Sequence, residues 1–121
     1  MKIIERQRGA TIRESESDIQ KRIGQILIWK GYLVIRFNSG MMKSAGRHIR
    51  FYRILNNNQS SGLPDLAFMK NGSITFVEVK AGKGKSSESQ NDFASLANQF
   101  GINTITTNSW KSLLDHVNQM R

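Results

Sequence analysis

The feature that most constrains this chain is a pair of apolar runs that meets charge at one end only. Leu66-Ala67-Phe68-Met69 and Ser73-Ile74-Thr75-Phe76-Val77-Glu78-Val79-Lys80 flank an Asn71-Gly72 dipeptide. Both runs favour extended backbone, because β-branched and aromatic side chains fit a pleated surface. Asn-Gly is a strong signal for a two-residue hairpin turn. Strands over 66–70 and 73–80 are therefore expected. Alternation along the second strand sends Glu78 and Lys80 to one face and Val77 and Val79 to the other. Charges in an apolar strand are costly to bury unless they are paired or hold a metal. Asp65, thirteen residues before Glu78, follows Gly62-Leu63-Pro64 and enters the first strand. The hairpin brings it beside Glu78, far from the turn. Two carboxylates and an ammonium then form a site suited to a divalent cation and a phosphodiester. A lone Glu-Val-Lys triplet would more simply be the solvent face of an edge strand. The preceding Pro64-Asp65 and two further polar residues on helices favour the site.

Charge points to an anionic partner. The 121 residues contain 18 Lys and Arg against 9 Asp and Glu, a formal net charge of +9, and such an excess attracts nucleic acid or other polyanions. Between Arg36 and Arg53 lie five basic residues, Arg36, Lys43, Arg47, Arg50 and Arg53, and no acid. Gly40 and Gly46 punctuate this stretch, which suits a phosphate backbone, where counterion release drives binding. A second basic cluster, Lys80 to Lys85 with Lys83 between, follows the candidate site directly. No basic amphipathic helix accompanies it, so nucleic acid is favoured over a membrane surface. The chain has no cysteine, which excludes a disulfide framework and a thiolate metal site. No apolar stretch is long enough to span a membrane, and Met1 to Arg6 is too polar for a signal-peptide core. An intracellular, cytoplasmic protein is expected, with no organic cofactor.

One domain is expected over residues 15–121, preceded by an irregular arm over 1–14. Ile19, Ile23, Ile26 and Leu27 recur at helical spacing from Ser15 to a stop at Gly31. Residues 32–37 and 49–55 read as strands, and 56–62 as a polar loop. After the hairpin come a helix over 87–100, a strand at 104–106 and a helix from Ser109 to about Met120. The order is α-β-β-β-β-α-β-α. Glu16 shares the face of Ile19 and Ile23, which turns it toward the sheet, although it also complements the helix dipole beside Asp18. Gln90 lies three positions before Phe93 on an apolar stripe. Ser87-Glu88-Ser89-Gln90 also fits a capping box, and a capping Gln90 can still face the site.

Glu16, Gly62-x-Pro64-Asp65, Glu78-x-Lys80 and Gln90, in this order, resemble the VRR-NUC family of the PD-(D/E)xK nuclease superfamily. The resemblance runs from Ser15 to Val117. It includes Arg36-Phe37-Asn38-Ser39-Gly40, similar to the R-x-N-S-G segment of stand-alone phage and bacterial members. The stretch from Gly40 to Ser60 departs from the minimal family pattern in being longer and more basic. The resemblance implies an α/β, restriction-endonuclease-like αβββαβ core, with a mixed central sheet flanked by helices. It implies Mg²⁺ or Mn²⁺ held by Asp65 and Glu78, with Lys80 approaching the scissile phosphate. It further implies a homodimer that cuts branched DNA, four-way junctions included.

On this reading the Val79 carbonyl completes the metal site, and Glu16 takes a second cation or a metal-bound water. Lys80 orients the attacking water or offsets developing negative charge, and Gln90 orients Lys80 or the water. Oxygen-only ligands favour Mg²⁺ or Mn²⁺ over Zn²⁺. DNA contacts are expected from Arg36, Asn38, Ser39, Lys43, Arg47, Arg50, Arg53, Lys83 and Lys85. The alternatives are a nicking or restriction-like endonuclease without junction specificity, and a DNA-binding module that has lost catalysis. Against the module stand Asp65, Glu78 and Lys80, all present. An RNA-binding role ranks low without an aromatic pair of the kind that stacks unpaired bases.

Overall fold

The structure, a computed structural model, describes residues 14–37, 42–44, 47–49 and 52–120. The elements in chain order are α1 (Glu16–Trp29), β1 (Leu33–Arg36), β2 (Met42–Ser44), β3 (Arg47–Ile49), β4 (Leu66–Lys70), β5 (Ser73–Val79), α2 (Glu88–Gln99), β6 (Asn103–Thr107) and α3 (Trp110–Gln119).

The hairpin read from the sequence is the centre of the fold. β4 and β5 pair antiparallel, with Leu66 opposite Val77 and Lys70 opposite Ser73. Their turn places Asn71 at φ 54° and Gly72 at φ 83°, the positive pair that a type I′ connection needs. β1 adds antiparallel to β4, and β6 adds parallel to β5. The result is a four-stranded mixed sheet ordered β1-β4-β5-β6. Removing β2, β3 and α3 from the list leaves α, β, β, β, α, β, which is the expected core.

The two faces of the sheet carry different layers. Leu66 and Phe68 of β4 join Val77 and Val79 of β5 on one face, where Ile19, Ile23 and Leu27 of α1 and Leu113 and Val117 of α3 cover them. Burying each such side chain contributes about 1.5–3 kcal/mol. On the opposite face Phe76 meets Phe93 of α2 edge to face at 5.1 Å and Phe37 at 6.2 Å. Alternation puts Glu78 on this second face, with Phe76.

Helix ends follow local chemistry. Ser15 caps α1, its hydroxyl accepting from Asp18 N–H at 3.1 Å while the Asp18 carboxylate accepts from Ser15 N–H. The helix closes with Tyr32 N–H on Leu27 O and Gly31 N–H on Ile28 O, both 3.0 Å, a Schellman ending. α2 opens on the expected capping box, Ser87 with Gln90.

Two expectations change. The strand expected over 49–55 does not form over 52–55, while Arg50 and Phe51 lie outside the described residues. β3 ends at Ile49, and Ile54 pairs only with Gln59, as an isolated bridge that closes a turn over 55–58. The Asn-rich stretch after Leu55 favours turning over extension. β2 is an addition, pairing with β3 as a separate two-stranded hairpin, Lys43 opposite His48 and Ser44 opposite Arg47. The arm over 1–14 lies outside the described residues apart from Glu14, whose carboxylate pairs with Arg22 at 3.0 Å. Among the described residues no helix is long and apolar enough to cross a membrane.

Candidate active site

The site lies where β4 begins and β5 ends. The β4–β5 register ends at Leu66 opposite Val77, and Asp65, just before β4, lies at the end of β5 with its carboxyl near enough to Glu78 to act on it by hydrogen bonding and charge. Asp65 is held at several points. Its N–H donates to Val77 O at 3.0 Å, its carbonyl accepts from Phe37 N–H at 2.8 Å, and Oδ2 accepts from Val79 N–H at 2.7 Å. A carboxylate gripped by a backbone amide has little freedom to turn away. The same bond shows that Val79 N–H points to the β4 edge. A strand residue presents its C=O to the same edge as its N–H, so the Val79 carbonyl faces Asp65.

Glu78 is only 4% exposed, and its Oε2 is buried without a hydrogen-bond partner. Burial pushes its pKa up to about 8, and the neighbouring Asp65 carboxyl adds to the rise through hydrogen bonding and charge. Lys80 acts in the opposite sense, and Glu16 adds a smaller upward push. An acid buried this way beside another acid resembles a ligand pair built for a cation.

Glu16 and Gln90 approach from the helices. Glu16, in the first turn of α1, accepts from Ala81 N–H through Oε2 at 3.2 Å. The side chain therefore turns to the end of β5, as its place on the α1 face predicted. Gln90 spends its Oε1 on Ser87 N–H at 2.8 Å, so it performs the cap and keeps its Nε2 for any second task. Lys80 follows β5, anchored by its N–H on Thr107 O at 2.9 Å.

The basic residues are less uniform than the sequence suggested. Arg36 does not project freely. Its Nε donates to Gln20 Oε1 at 2.9 Å and its Nη2 to Ser17 Oγ at 3.2 Å, tying β1 to the first turns of α1. Arg53 is engaged with Asn58 Oδ1 at 2.6 Å across the short turn. Lys83 and Lys85 are exposed on the loop after β5, and Lys83 lines a cavity of about 630 Å³ with Glu14, Ile19, Gly82 and Asn108. Lys43 and Arg47 belong to β2 and β3, while Asn38, Ser39 and Arg50 lie outside the described residues. Sequence reasoning missed Tyr52, whose hydroxyl accepts from Leu63 N–H at 3.0 Å, and Gln59, which bonds Ser61 O and Ser89 O. A Tyr and a Gln bracketing a polar loop carry no periodicity that would have flagged them.

The donor set fits a hard divalent cation. Asp65, Glu78 and the Val79 carbonyl offer oxygen alone, and Glu78 Oε2 is an orphaned acceptor. Among the described residues no group of three or more His, Cys, Asp or Glu gathers to hold a metal. Two carboxylates with backbone and water is a usual arrangement for Mg²⁺, which keeps several waters and leaves room for phosphate.

A solved structure titled "VRR_NUC domain" superposes on this chain with a TM-score of 0.62, covering 88% of this chain and 97% of that one at 24% identity. The fold is that of a VRR_NUC domain. No protein-family model matches the chain, and no curated protein matches it.

Proposed function

We propose that this chain is a VRR-NUC-family nuclease, a metal-dependent endonuclease that hydrolyses phosphodiester bonds in branched DNA and works as a homodimer. One observation carries the reading. A buried Glu78 carboxylate stands beside Asp65 at the open end of a hairpin, with Lys80 two residues on, inside a VRR_NUC fold. The basic excess of the chain adds support for an anionic polymer as substrate.

Asp65, Glu78 and the Val79 carbonyl would hold Mg²⁺ or Mn²⁺, which when bound supplies Lewis acidity and a water of lowered pKa. Lys80 lies two residues beyond Glu78, and its charge acts on that carboxyl. Its ammonium orients the attacking water or offsets the charge that builds on the phosphate oxygens. Glu16 fixes the backbone at Ala81 and offers a carboxylate for a second cation or a bound water. Gln90, its Oε1 used by the helix cap, directs Nε2 toward Lys80 or that water. Lys83 and Lys85, with Lys43, Arg47 and Arg50, supply phosphate contacts along the strand. A resolvase must nick two strands of a junction symmetrically, which two copies related by a two-fold axis accomplish.

The test is cleavage of labelled four-way junction, flap and linear duplex in Mg²⁺, Mn²⁺ or EDTA, alongside Asp65→Asn and Glu78→Gln. Paired metal-dependent nicks in the junction alone, lost in both variants with DNA binding retained, are expected. Equal cutting of flap or duplex would keep the nuclease and discard junction specificity. Near wild-type cutting by either variant would overturn the site, and no cutting of any substrate would favour a binding module.

A further inference from the structure

The segment that delivers Asp65 is fastened to α2 by a polar clamp. Ile54 N–H donates to Gln59 O at 2.7 Å and Gln59 N–H to Ile54 O at 3.1 Å, so the Gln59 backbone is fixed at the base of its turn. Its side chain then reaches outward. Nε2 donates to Ser61 O at 2.7 Å and to Ser89 O in the first turn of α2, while Oε1 accepts from Asn57 Nδ2 at 2.5 Å. The amide is thereby oriented by a donor on its oxygen side and two carbonyl acceptors on its nitrogen side. Gly62 follows at φ 93°, against the Ser89 carbonyl. Leu63 gives its N–H to the Tyr52 hydroxyl, and Pro64 is fully buried. Each residue from Ser61 to Pro64 is therefore held before the chain reaches Asp65. Ser89 immediately precedes Gln90, so one side chain links the entry to Asp65 with the helix turn that carries Gln90.

We propose that Gln59 is a positioning residue for the Asp65–Glu78 pair, acting by holding residues 61–64 against α2, with Tyr52 as its second tie. The proposal rests on the nuclease reading for its metal, but its geometry does not depend on it. Gln59 touches neither carboxylate. It sets the approach of the loop, and the loop sets where Asp65 Oδ2 meets the Val79 N–H. Partners bonded directly to metal ligands typically contribute roughly tenfold to a hundredfold in metal affinity, and Gln59 acts one step further out, through the loop.

The test compares wild type with Gln59→Glu, which keeps the shape but turns a carboxylate to two carbonyl oxygens, Gln59→Ala, Gln59→Lys, which restores a donor, and Tyr52→Phe. Mn²⁺ uptake by DNA-free protein is followed by the loss of the free Mn²⁺ paramagnetic signal. Amide hydrogen exchange at Val79 reports the bond to Asp65 without any metal. Gln59→Glu and Gln59→Ala should weaken Mn²⁺ binding roughly tenfold, the lower end of that range, and speed exchange at Val79. DNA affinity in EDTA and the exchange of Phe76 and Val77 should hold. Gln59→Lys should recover part of both losses, and Tyr52→Phe should show a smaller one. Wild-type Val79 exchange in both donor-less variants would overturn the proposal, as would a uniform loss of protection along β5. If wild type and Asp65→Asn alike take up no Mn²⁺, the metal reading fails, and the Val79 amide alone still decides the positioning role.

Discussion

Glu78 sits in an electrostatic conflict that proton linkage exposes. In the unfolded chain it loses its proton near pH 4.5, whereas in the folded chain it keeps the proton up to about 8. Across that window the folded state binds more protons, so stability is greatest below the lower value and is lost as pH rises through the upper one. In EDTA the melting temperature should fall from about pH 5 to pH 8, and Glu78→Gln should flatten that fall. A metal ligand must be deprotonated, so Mn²⁺ binding at pH 7 should release protons, seen by calorimetry in buffers of different ionisation enthalpy. Gly62 is the second sensitive position. Its positive φ and its approach to the Ser89 carbonyl leave no room for a Cβ, so Gly62→Ala should cost about 1–3 kcal/mol or more, checked by denaturant unfolding. Asp65 and Glu78 were legible as a pair because hairpin spacing and strand alternation are local rules. Gln59 was not, because its Ser89 partner lies thirty residues away and is a backbone carbonyl that any residue could supply.

At the scale of elements, α1, β4, β5, α2 and α3 could be read from periodicity, caps and the Asn-Gly turn, since each has a strong local signal. The region from Gly40 to Ser60 could not. Its alternation is broken by glycine, basic residues and asparagines, and β2 and β3 pair with one another outside the main sheet. The expected reach of Arg36 to DNA was likewise not visible as a competition. Gln20 is largely buried on α1 and accepts from the guanidinium, so Arg36 spends donors on joining β1 to the helix that carries Glu16. The basic hairpin is then the element to test for phosphate contact. Arg47→Ala with Arg50→Ala should weaken DNA binding and lower the slope of log affinity against log salt by roughly one to two. Filter binding at several salt concentrations measures this, and an unchanged slope would move the DNA path to Lys83 and Lys85.

For the whole molecule, a single site at one end of one sheet cannot nick two opposed strands in one pose. A pairing of copies is therefore expected, and sedimentation should give about twice the 13.7 kDa of one chain; a monomer at micromolar concentration that still makes paired nicks would remove the need for symmetry. The order in which the chain can assemble its parts follows from the central hairpin. Asp65 and Glu78 meet through a turn of two residues, whereas Glu16 must come from 65 positions away to reach Ala81. Short closures are fast and long ones slow. A two-residue turn therefore favours an early meeting of Asp65 and Glu78, whereas the burial that raises the Glu78 pKa is complete only once the remaining elements have packed, so its proton is held by the finished fold and not by the hairpin alone.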